Sequence, residues 1–188
     1  MKDDNAIVVF QDEVHFQQQT SVTRMWYKKG SEPKVDSAPG KKSIAYSGYV
    51  VQNTGELIMT KPGWFTYETV IDSLREFIEK YKIDDGKKLH LVLDGAPWHR
   101  KAIRLIQDEK LPEYADIREK IILEKLPPYS PDLNPIEQVW RITRREVTHN
   151  HYFSELSDLE SRLDGFFCKY RAPNDKFYGL CNFEYSSC

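Results

Sequence analysis

Two short apolar runs, each closed by an acidic residue, constrain the fold of this chain more than any other feature. The run AIVVFQ covers residues 6–11 and is followed by Asp12 and Glu13, and the run LHLVL covers residues 89–93 and is followed by Asp94. Short aliphatic runs rich in β-branched residues are typical of strands buried in an α/β sheet. Because ligands collect at the carboxyl ends of neighbouring strands in such sheets, Asp12 and Asp94 are predicted to face one another.

The residues between and after these runs predict helices and further strands. From Thr66, a predicted N-cap, apolar residues recur with helical spacing as far as the turn residues at 84–86. Pro97 opens a second amphipathic segment at a position where its missing N–H costs little. The remaining predicted elements are strands at 21–28, 43–52 and 121–126, a helix from Pro135, and a helix from Ser154 to about residue 170.

The predicted order is three antiparallel strands, helix, strand, helix, strand, helix and helix. This order makes a mixed α/β fold in which helices cover a sheet. A chain of 188 residues, 40% of them hydrophobic, has the size of one compact domain. We therefore expect a single domain over residues 1–188, with an irregular tail from about residue 172.

Composition and charge limit the cellular location and the binding partners that can be expected of this chain. The apolar stretch at residues 6–10 is too short for a leader or a membrane span, so a soluble, intracellular protein is expected, in the cytoplasm or nucleoid if the source is prokaryotic. The three cysteines lack CxxC spacing, which favours reduced, structural residues. The formal net charge of -2 gives no overall basic footprint, although residues 21–50 carry six Lys or Arg against two acids. A solvated face is the ordinary interpretation of such a segment.

The acids have structural interpretations as well as catalytic ones. A single acid after a strand is usually a turn or capping residue, and Glu137 follows Asn134 and Pro135 in a pattern close to a capping box. Two acids at strand ends can also act as the acid and base of a metal-free hydrolase. A metal site is a further interpretation, because Mg²⁺ prefers carboxylate oxygens, and two ions can stabilise both reacting oxygens of an in-line displacement at phosphorus.

Three segments together carry a family resemblance. They are FQDEVHF at 10–16, LVLDGAPWHR at 91–100 and LPPYSPDLNPIEQVWRITRR at 126–145. The third segment is the most specific, since its run of prolines, tyrosine, aspartate and asparagine before Ile-Glu is very improbable by chance. Over residues 6–150 the chain resembles the DDE transposases of the Tc/mariner-like insertion-sequence group.

The resemblance implies an RNase H-like fold in which Asp12, Asp94 and Glu137 are the metal-binding, catalytic acids. It implies two Mg²⁺ ions, for which Mn²⁺ can substitute, and DNA as the substrate, both transposon ends and target. The implied reactions of DNA transposition are cleavage of a phosphodiester at a transposon end and attack of the freed 3′-hydroxyl on target DNA. A homodimer in the DNA complex is expected from the family alone, and no membrane partner is expected.

Residues beside the acids are candidates for DNA contact. Their interpretations differ, but all lie within or next to the matching segments: Trp98, His99, Arg100, Tyr129, Ser130, Arg141 and Arg144. His99 can position a phosphate or a water, or be an ordinary hydrogen-bonded histidine. Arg141 and Arg144 are expected to share a helical face with Glu137 and contact phosphates, the alternative for Arg141 being an i, i+4 ion pair with Glu137. Glu13 is excluded from the predicted site, because side chains alternate along a strand and it should point away from Asp12.

The chain also departs from the family pattern. Asp94 and Glu137 are separated by 42 residues, more than is usual in the group, and the excess is expected in an enlarged loop or helix at 107–120. Helix-turn-helix modules usually precede the first catalytic strand, and only about five residues precede it here. Two explanations are open, a fragment of a longer transposase or the second product of a split or frameshifted gene, and a separate N-terminal DNA-binding polypeptide is a candidate partner. An alternative function is therefore a catalytically inert remnant that only binds DNA or a partner through Arg141, Arg144 and the basic segment at 24–42.

Overall fold

The computed structural model describes residues 6–83, 87–128 and 130–182. Within these residues five strands form one sheet: β1 (Ile7–Gln17), β2 (Ser43–Val51), β3 (Leu57–Thr60), β4 (Leu89–Leu93) and β5 (Ile121–Lys125). Their order is β3-β2-β1-β4-β5; the first three are antiparallel, and β4 and β5 run parallel to β1. The predicted mixed sheet of about five strands, the first three antiparallel, is confirmed.

Helices cover both faces of this sheet. They are α1 (Tyr67–Tyr81), α2 (Pro97–Gln107), α3 (Ala115–Arg118), α4 (Pro135–Thr143), α5 (Leu156–Cys168) and α6 (Asp175–Cys181). Side chains alternate along β1, so Val9 joins the core under α1 and α2, while Val14 and Phe16 join the core under α4 and α5. Asp12 therefore faces the α4 side of the sheet and Glu13 the α2 side.

The strand predicted at 21–28 is wrong. In this segment only Ser21 forms a bridge, to His149, and the segment is otherwise irregular. The third antiparallel strand is instead β3, which follows the turn at 53–55 and pairs with β2 from Val50↔Leu57 to Ser47↔Thr60. The residues at 21–28 have high β-propensity, but a strand needs a neighbour, and a short hairpin connection gives Leu57–Thr60 the place beside β2.

The first strand is longer than predicted. The sequence indicated that it stops at Asp12, whereas β1 continues to Gln17 because its second half pairs with β2 from Glu13↔Ser47 to Gln17↔Ser43. Asp12 thus lies within the strand. The extra residues between the second and third acids form α3 and a preceding turn of 3-10 helix at Pro112–Tyr114, in agreement with the expected enlarged loop or helix.

Helix boundaries follow their caps. Thr66 and Thr69 form the capping box of α1, as Thr66 predicted, and the turn residues predicted to end this helix, 84–86, lie outside the described residues. Glu155, with Asp158, caps α5 in place of the predicted Ser154. Part of the predicted irregular tail is helical, because the Asn174 side chain accepts a hydrogen bond from the backbone N–H of Phe177 and starts α6.

Two other expectations concern the cysteines and the membrane. Cys181 is buried and Cys168 is exposed, both as free thiols, and Cys188 lies outside the described residues. Burial raises the pKa of the Cys181 thiol to about 12, which fits a structural residue. None of the helices in the described part of the chain combines the length and apolarity needed to cross a bilayer.

Candidate functional site

The strand register brings Asp12 next to Asp94. The parallel pairing of β1 with β4 runs as far as Phe10↔Val92, and two residues further along each chain are Asp12 and Asp94. Glu137 comes from the first turn of α4, whose N-cap Asn134 places its side-chain nitrogen 3.4 Å from the carbonyl oxygen of Gln11. The three acids line one cavity of about 390 Å³ at this end of the sheet.

Asp12 is held by an indole. Nε1 of Trp140, on α4, donates a hydrogen bond of 2.9 Å to Oδ2 of Asp12. The ring fits against β2 at Gly48, the residue opposite Asp12 in the register, and a Cβ at Gly48 would overlap it. Burial, and next the negative charge of Glu137, raise the pKa of Asp12 to about 7.

Asp94 is held in the charged form. Its Oδ1 lies 2.5 Å from Nδ1 of His99 and accepts a hydrogen bond of 2.9 Å from the backbone N–H of Ala96. The His99 contact is the largest cause of a lowered pKa of Asp94. Burial alone lowers the pKa of His99, but its hydrogen bonds to Asp94 and Glu13 outweigh that effect and raise it to about 9. At neutral pH His99 is therefore an imidazolium that donates from both ring nitrogens.

Glu13 supports this histidine from the other side. Its side chain is only 5% exposed and accepts three hydrogen bonds, from Nε2 of His99 (2.7 Å), Nε2 of Gln11 (2.9 Å) and Nε1 of Trp98 (3.0 Å). The alternation that excluded Glu13 from the predicted site is correct, since Glu13 faces α2. Sequence reasoning missed that His99 bridges Glu13, which faces α2, and Asp94, which lines the cavity. An acid directly after Asp12 and a histidine five residues after Asp94 were the available signals.

Glu137 shows neither of its predicted structural roles. The side chain of Asn134 makes no capping hydrogen bond, so a capping box is not formed at the start of α4. Among the described residues, no ion pair joins Glu137 to Arg141. Asn134 Oδ1 is buried in the cavity wall without a hydrogen-bond partner in the described structure.

The residues predicted to contact DNA divide into two groups. Arg100 and Ser130 line the cavity of the three acids. His99 is fully buried with both ring nitrogens engaged, so the direct phosphate contact predicted for it does not fit, and the ordinary hydrogen-bonded interpretation applies. Trp98 donates its indole N–H to Glu13, and Tyr129 lies outside the described residues.

Neither Arg141 nor Arg144 lines the cavity that contains Glu137. Arg141 is exposed and lies outside the cavity lining, and the guanidinium of Arg144 lies 5.8 Å from the centroid of the Phe16 ring. Glu137 and Arg141 lie four residues apart within α4 and keep the predicted helical spacing, whereas Arg144 starts the π-helical turn Arg144–Thr148 that follows α4. A cation that the sequence analysis missed is Lys125, which ends β5 and lines the cavity.

The donor set suits a hard cation, but it is not preassembled. Three carboxylates from separate segments line the cavity, and oxygen ligands of this type are those that Mg²⁺ and Mn²⁺ prefer. In the described ranges no group of three His, Cys, Asp or Glu side chains is close enough together to hold a metal ion.

Two sequence comparisons found similarity to known proteins. A family profile described as DDE superfamily endonuclease matches residues 7–160. An uncharacterised protein of Sinorhizobium fredii is 36% identical over 77 residues, which are 41% of this chain and 49% of that protein.

Solved structures agree on the fold. The Mos1 transposase paired-end complex with left transposon end matches with a TM-score of 0.60 and 18% identity over 96% of this chain and 52% of that chain. The Mos1 mariner paired end complex with Mn matches with a TM-score of 0.61 and 18% identity over 93% and 51%. The simian T-cell lymphotropic virus intasome in complex with PP2A regulatory subunit B56 gamma matches with a TM-score of 0.52 and 14% identity over 96% and 56%. The predicted RNase H-like fold is confirmed, and the chain spans about half the length of these relatives.

Proposed function

This chain belongs to the DDE superfamily of endonucleases, and from that premise we propose that it is a transposase catalytic domain that cleaves DNA and transfers the freed strand. The observation that carries the proposal is the cavity lined by Asp12, Asp94 and Glu137, three acids from β1, the end of β4 and the start of α4. The proposed site is one place for both steps, because each is an in-line displacement at phosphorus.

We propose a divalent cation as the cofactor, Mg²⁺ with Mn²⁺ as a substitute, and two ions per site. When bound, the ions would polarise the scissile phosphate and stabilise the attacking and leaving oxygens. The carboxylates of Asp12, Asp94 and Glu137 would hold them. Without a cation, an Asp12 with a pKa of about 7 holds a proton in a large fraction of molecules at neutral pH, while His99 keeps Asp94 charged and oriented. Cation binding must therefore displace a proton from Asp12.

The proposed substrates are transposon ends and target DNA. Structures with the same fold are described as complexes of Mos1 transposase with a left transposon end and as a Mos1 strand transfer complex, which supports DNA as the substrate class. We propose a homodimer in the DNA complex, with this chain as a single catalytic domain. Because the chain spans about half the length of those transposase chains, we assign recognition of the transposon ends to a separate DNA-binding polypeptide or domain.

An inert module that binds DNA or a partner is the second candidate. The observation that favours it is the absence, in the described residues, of three acids close enough to form a ready metal site. The basic segment at 24–42 is exposed over most of its length and could serve such a module. The two candidates differ in one respect that is simple to measure, which is turnover in the presence of a divalent cation.

A nicking assay separates them. The purified chain is incubated with supercoiled plasmid and Mg²⁺ or Mn²⁺, beside Asp12→Asn, Asp94→Asn and Glu137→Gln, and conversion to the open-circular form is followed. The proposal expects cation-dependent nicking that each substitution reduces by at least two orders of magnitude, with Glu79→Gln, an exposed acid on α1, as a control that remains active. Manganese calorimetry on the same proteins tests the cluster without DNA. Manganese binding without nicking in the presence of an end-recognition partner would support the inert module.

A further inference from the structure

A groove next to the acidic cavity lies along α2 and the edge strand β5. Its volume is about 630 Å³, and its lining includes Arg100, Ile103, Arg104, Asp108, Leu123 and Lys125. Arg100 and Lys125 line both the groove and the cavity of the three acids, so the two spaces adjoin at these side chains. A chain-like ligand with one end at the acids can therefore extend into the groove.

The groove is basic, and its cationic side chains make few contacts within the protein. Arg100 and Arg104 are four residues apart on α2, which places them on one face at a separation of about 6 Å along the axis. Lys125 approaches from β5, the opposite wall. In the described part of the chain, neither Arg104 nor Lys125 makes a side-chain hydrogen bond or an ion pair, and Arg100 bonds only to the carbonyl oxygen of Gly95, at 2.6 Å.

Among the described residues, no ion pair joins Arg104 or Lys125 to a nearby acid. Asp108 lines the groove, but its Oδ1 accepts the backbone N–H of Lys110 and shapes the turn after α2. Glu124, next to Lys125 in β5, lies 3.5 Å from Nδ1 of His90 and points to the other face of the strand. Arg104 also lies in the last turn of α2, where it offsets the helix dipole, but that role leaves its guanidinium exposed.

The walls suit a phosphate backbone. The half-buried aliphatic side chains of Ile103 and Leu123 line the same groove and offer no charge of either sign. Cations of this kind, spaced along a groove, bind phosphates and fix the register of a nucleic-acid strand without reading its sequence. The carboxylates need a cation before they can accept a phosphate, whereas Arg104 and Lys125 do not.

We propose that this groove binds the sugar-phosphate backbone of the DNA strand that passes through the acidic cavity, with Arg104 and Lys125 as phosphate contacts. The proposal rests on the proposed function for the identity of the ligand, and it adds the path of the strand across α2 and β5. Binding in the groove is independent of divalent cations and of base sequence, and it depends on ionic strength through the displaced counterions.

The test measures binding of the intact chain to a fluorescein-labelled 30-base-pair duplex by anisotropy, with EDTA present, from low to moderate salt. Each of Arg104→Gln and Lys125→Gln is expected to weaken binding about 3- to 10-fold and to reduce the slope of log K against log salt by about 0.9. Lys169→Gln is the matched control, because Lys169 is an exposed cation at the end of α5, away from the groove. A duplex of scrambled sequence should give the same values.

The outcomes separate the groove from the catalytic proposal. If wild type does not bind the duplex in EDTA at low salt, or if both groove variants bind with the wild-type slope, the groove proposal is overturned, whatever the nicking activity. If the groove variants lose affinity as expected but wild type neither binds Mn²⁺ nor nicks DNA, the groove is retained and the catalytic proposal fails. Unchanged thermal unfolding of both variants shows that a loss of binding does not come from loss of the fold.

Discussion

The indole N–H of Trp140 donates to Oδ2 of Asp12 at 2.9 Å and is the direct link between α4 and the acid in the middle of β1. This hydrogen bond favours the charged carboxylate, whereas burial and the charge of Glu137 favour the protonated one, and the balance is a pKa of about 7. The same helix carries Glu137 in its first turn and Trp140 three residues later. One element therefore supplies both a charge that opposes ionisation of Asp12 and a donor that favours it.

Trp140→Phe should weaken metal binding most strongly near neutral pH. The substitution keeps most of the buried ring but removes the hydrogen bond that lowers the pKa of Asp12, so this pKa should rise above about 7. Since protons compete with the cation for Asp12, the Mn²⁺ affinity of the variant should fall several-fold at pH 7 and approach the wild-type value at pH 9. Calorimetry at the two pH values checks this. An equal loss of affinity at both would indicate a packing defect.

Asp12→Asn should stabilise the metal-free protein at alkaline pH. The pKa of Asp12 is raised in the folded state, so ionisation costs stability; the cost is absent below about pH 4, grows as pH rises through about 7, and is complete above it. The variant should gain on the order of 1–3 kcal/mol at pH 8 and about nothing at pH 4. Urea unfolding measures the difference, with the exposed Glu79→Gln as a control. A variant no more stable than wild type at pH 8 would contradict the assigned pKa.

Gly48→Ala should disturb the site without touching an acid. Its new Cβ would overlap the Trp140 ring, and overpacking of this kind costs about 1–3 kcal/mol. We expect a lower free energy of unfolding together with weaker Mn²⁺ binding, because the indole must move away from Asp12. Gly165→Ala is the matched control: Gly165 lies inside α5 with open space where the Cβ would be, so this change should be neutral or stabilising. Equal stability of both variants would argue against the packing described for Trp140.

The sequence was sufficient for elements whose signals are local. The apolar run at Leu89–Leu93, the cap at Thr66 and the proline at the start of α4 each act within a few residues, and each element was predicted close to its observed position. The alternation of β1 also predicted that Asp12 and Glu13 point to opposite faces of the sheet. These features depend on short-range sterics and on periodicity, which are readable without the tertiary structure.

Other features depend on partners that are distant in sequence. Residues 21–28 have strand propensity but no neighbouring strand, and β3 takes the place beside β2 because a short turn delivers it there. The contact of Glu13 with Asp94 through His99 joins residues about 80 positions apart, and Lys125 reaches the cavity only because β5 lies beside β4. Arg144 starts a π-helical turn after α4, and its guanidinium lies over the Phe16 ring, a contact that helical spacing alone does not predict.

Glu13→Gln should impair the site through Asp94, although Glu13 does not line the cavity. The carboxylate of Glu13 holds one ring nitrogen of His99, and the other ring nitrogen orients Asp94, so loss of the charge loosens the orientation of the acid. Substitutions of residues that orient metal ligands typically reduce metal affinity or activity about 10- to 100-fold. We expect a reduction in this range for both Mn²⁺ affinity and nicking rate. Calorimetry and the plasmid assay measure the two effects separately.

Trp98→Phe is the matched control for this prediction. It removes the third hydrogen bond to Glu13 but leaves the contacts of Glu13 with His99 and of His99 with Asp94 in place, so its Mn²⁺ affinity should remain within a few-fold of wild type. Glu13→Asp tests the position of the charge: a shorter side chain keeps the charge but cannot reach His99 with the same geometry, so it should restore activity only in part. A folded Glu13→Gln protein that binds Mn²⁺ and nicks DNA like wild type would show that Glu13 stabilises α2 against β1 without orienting Asp94.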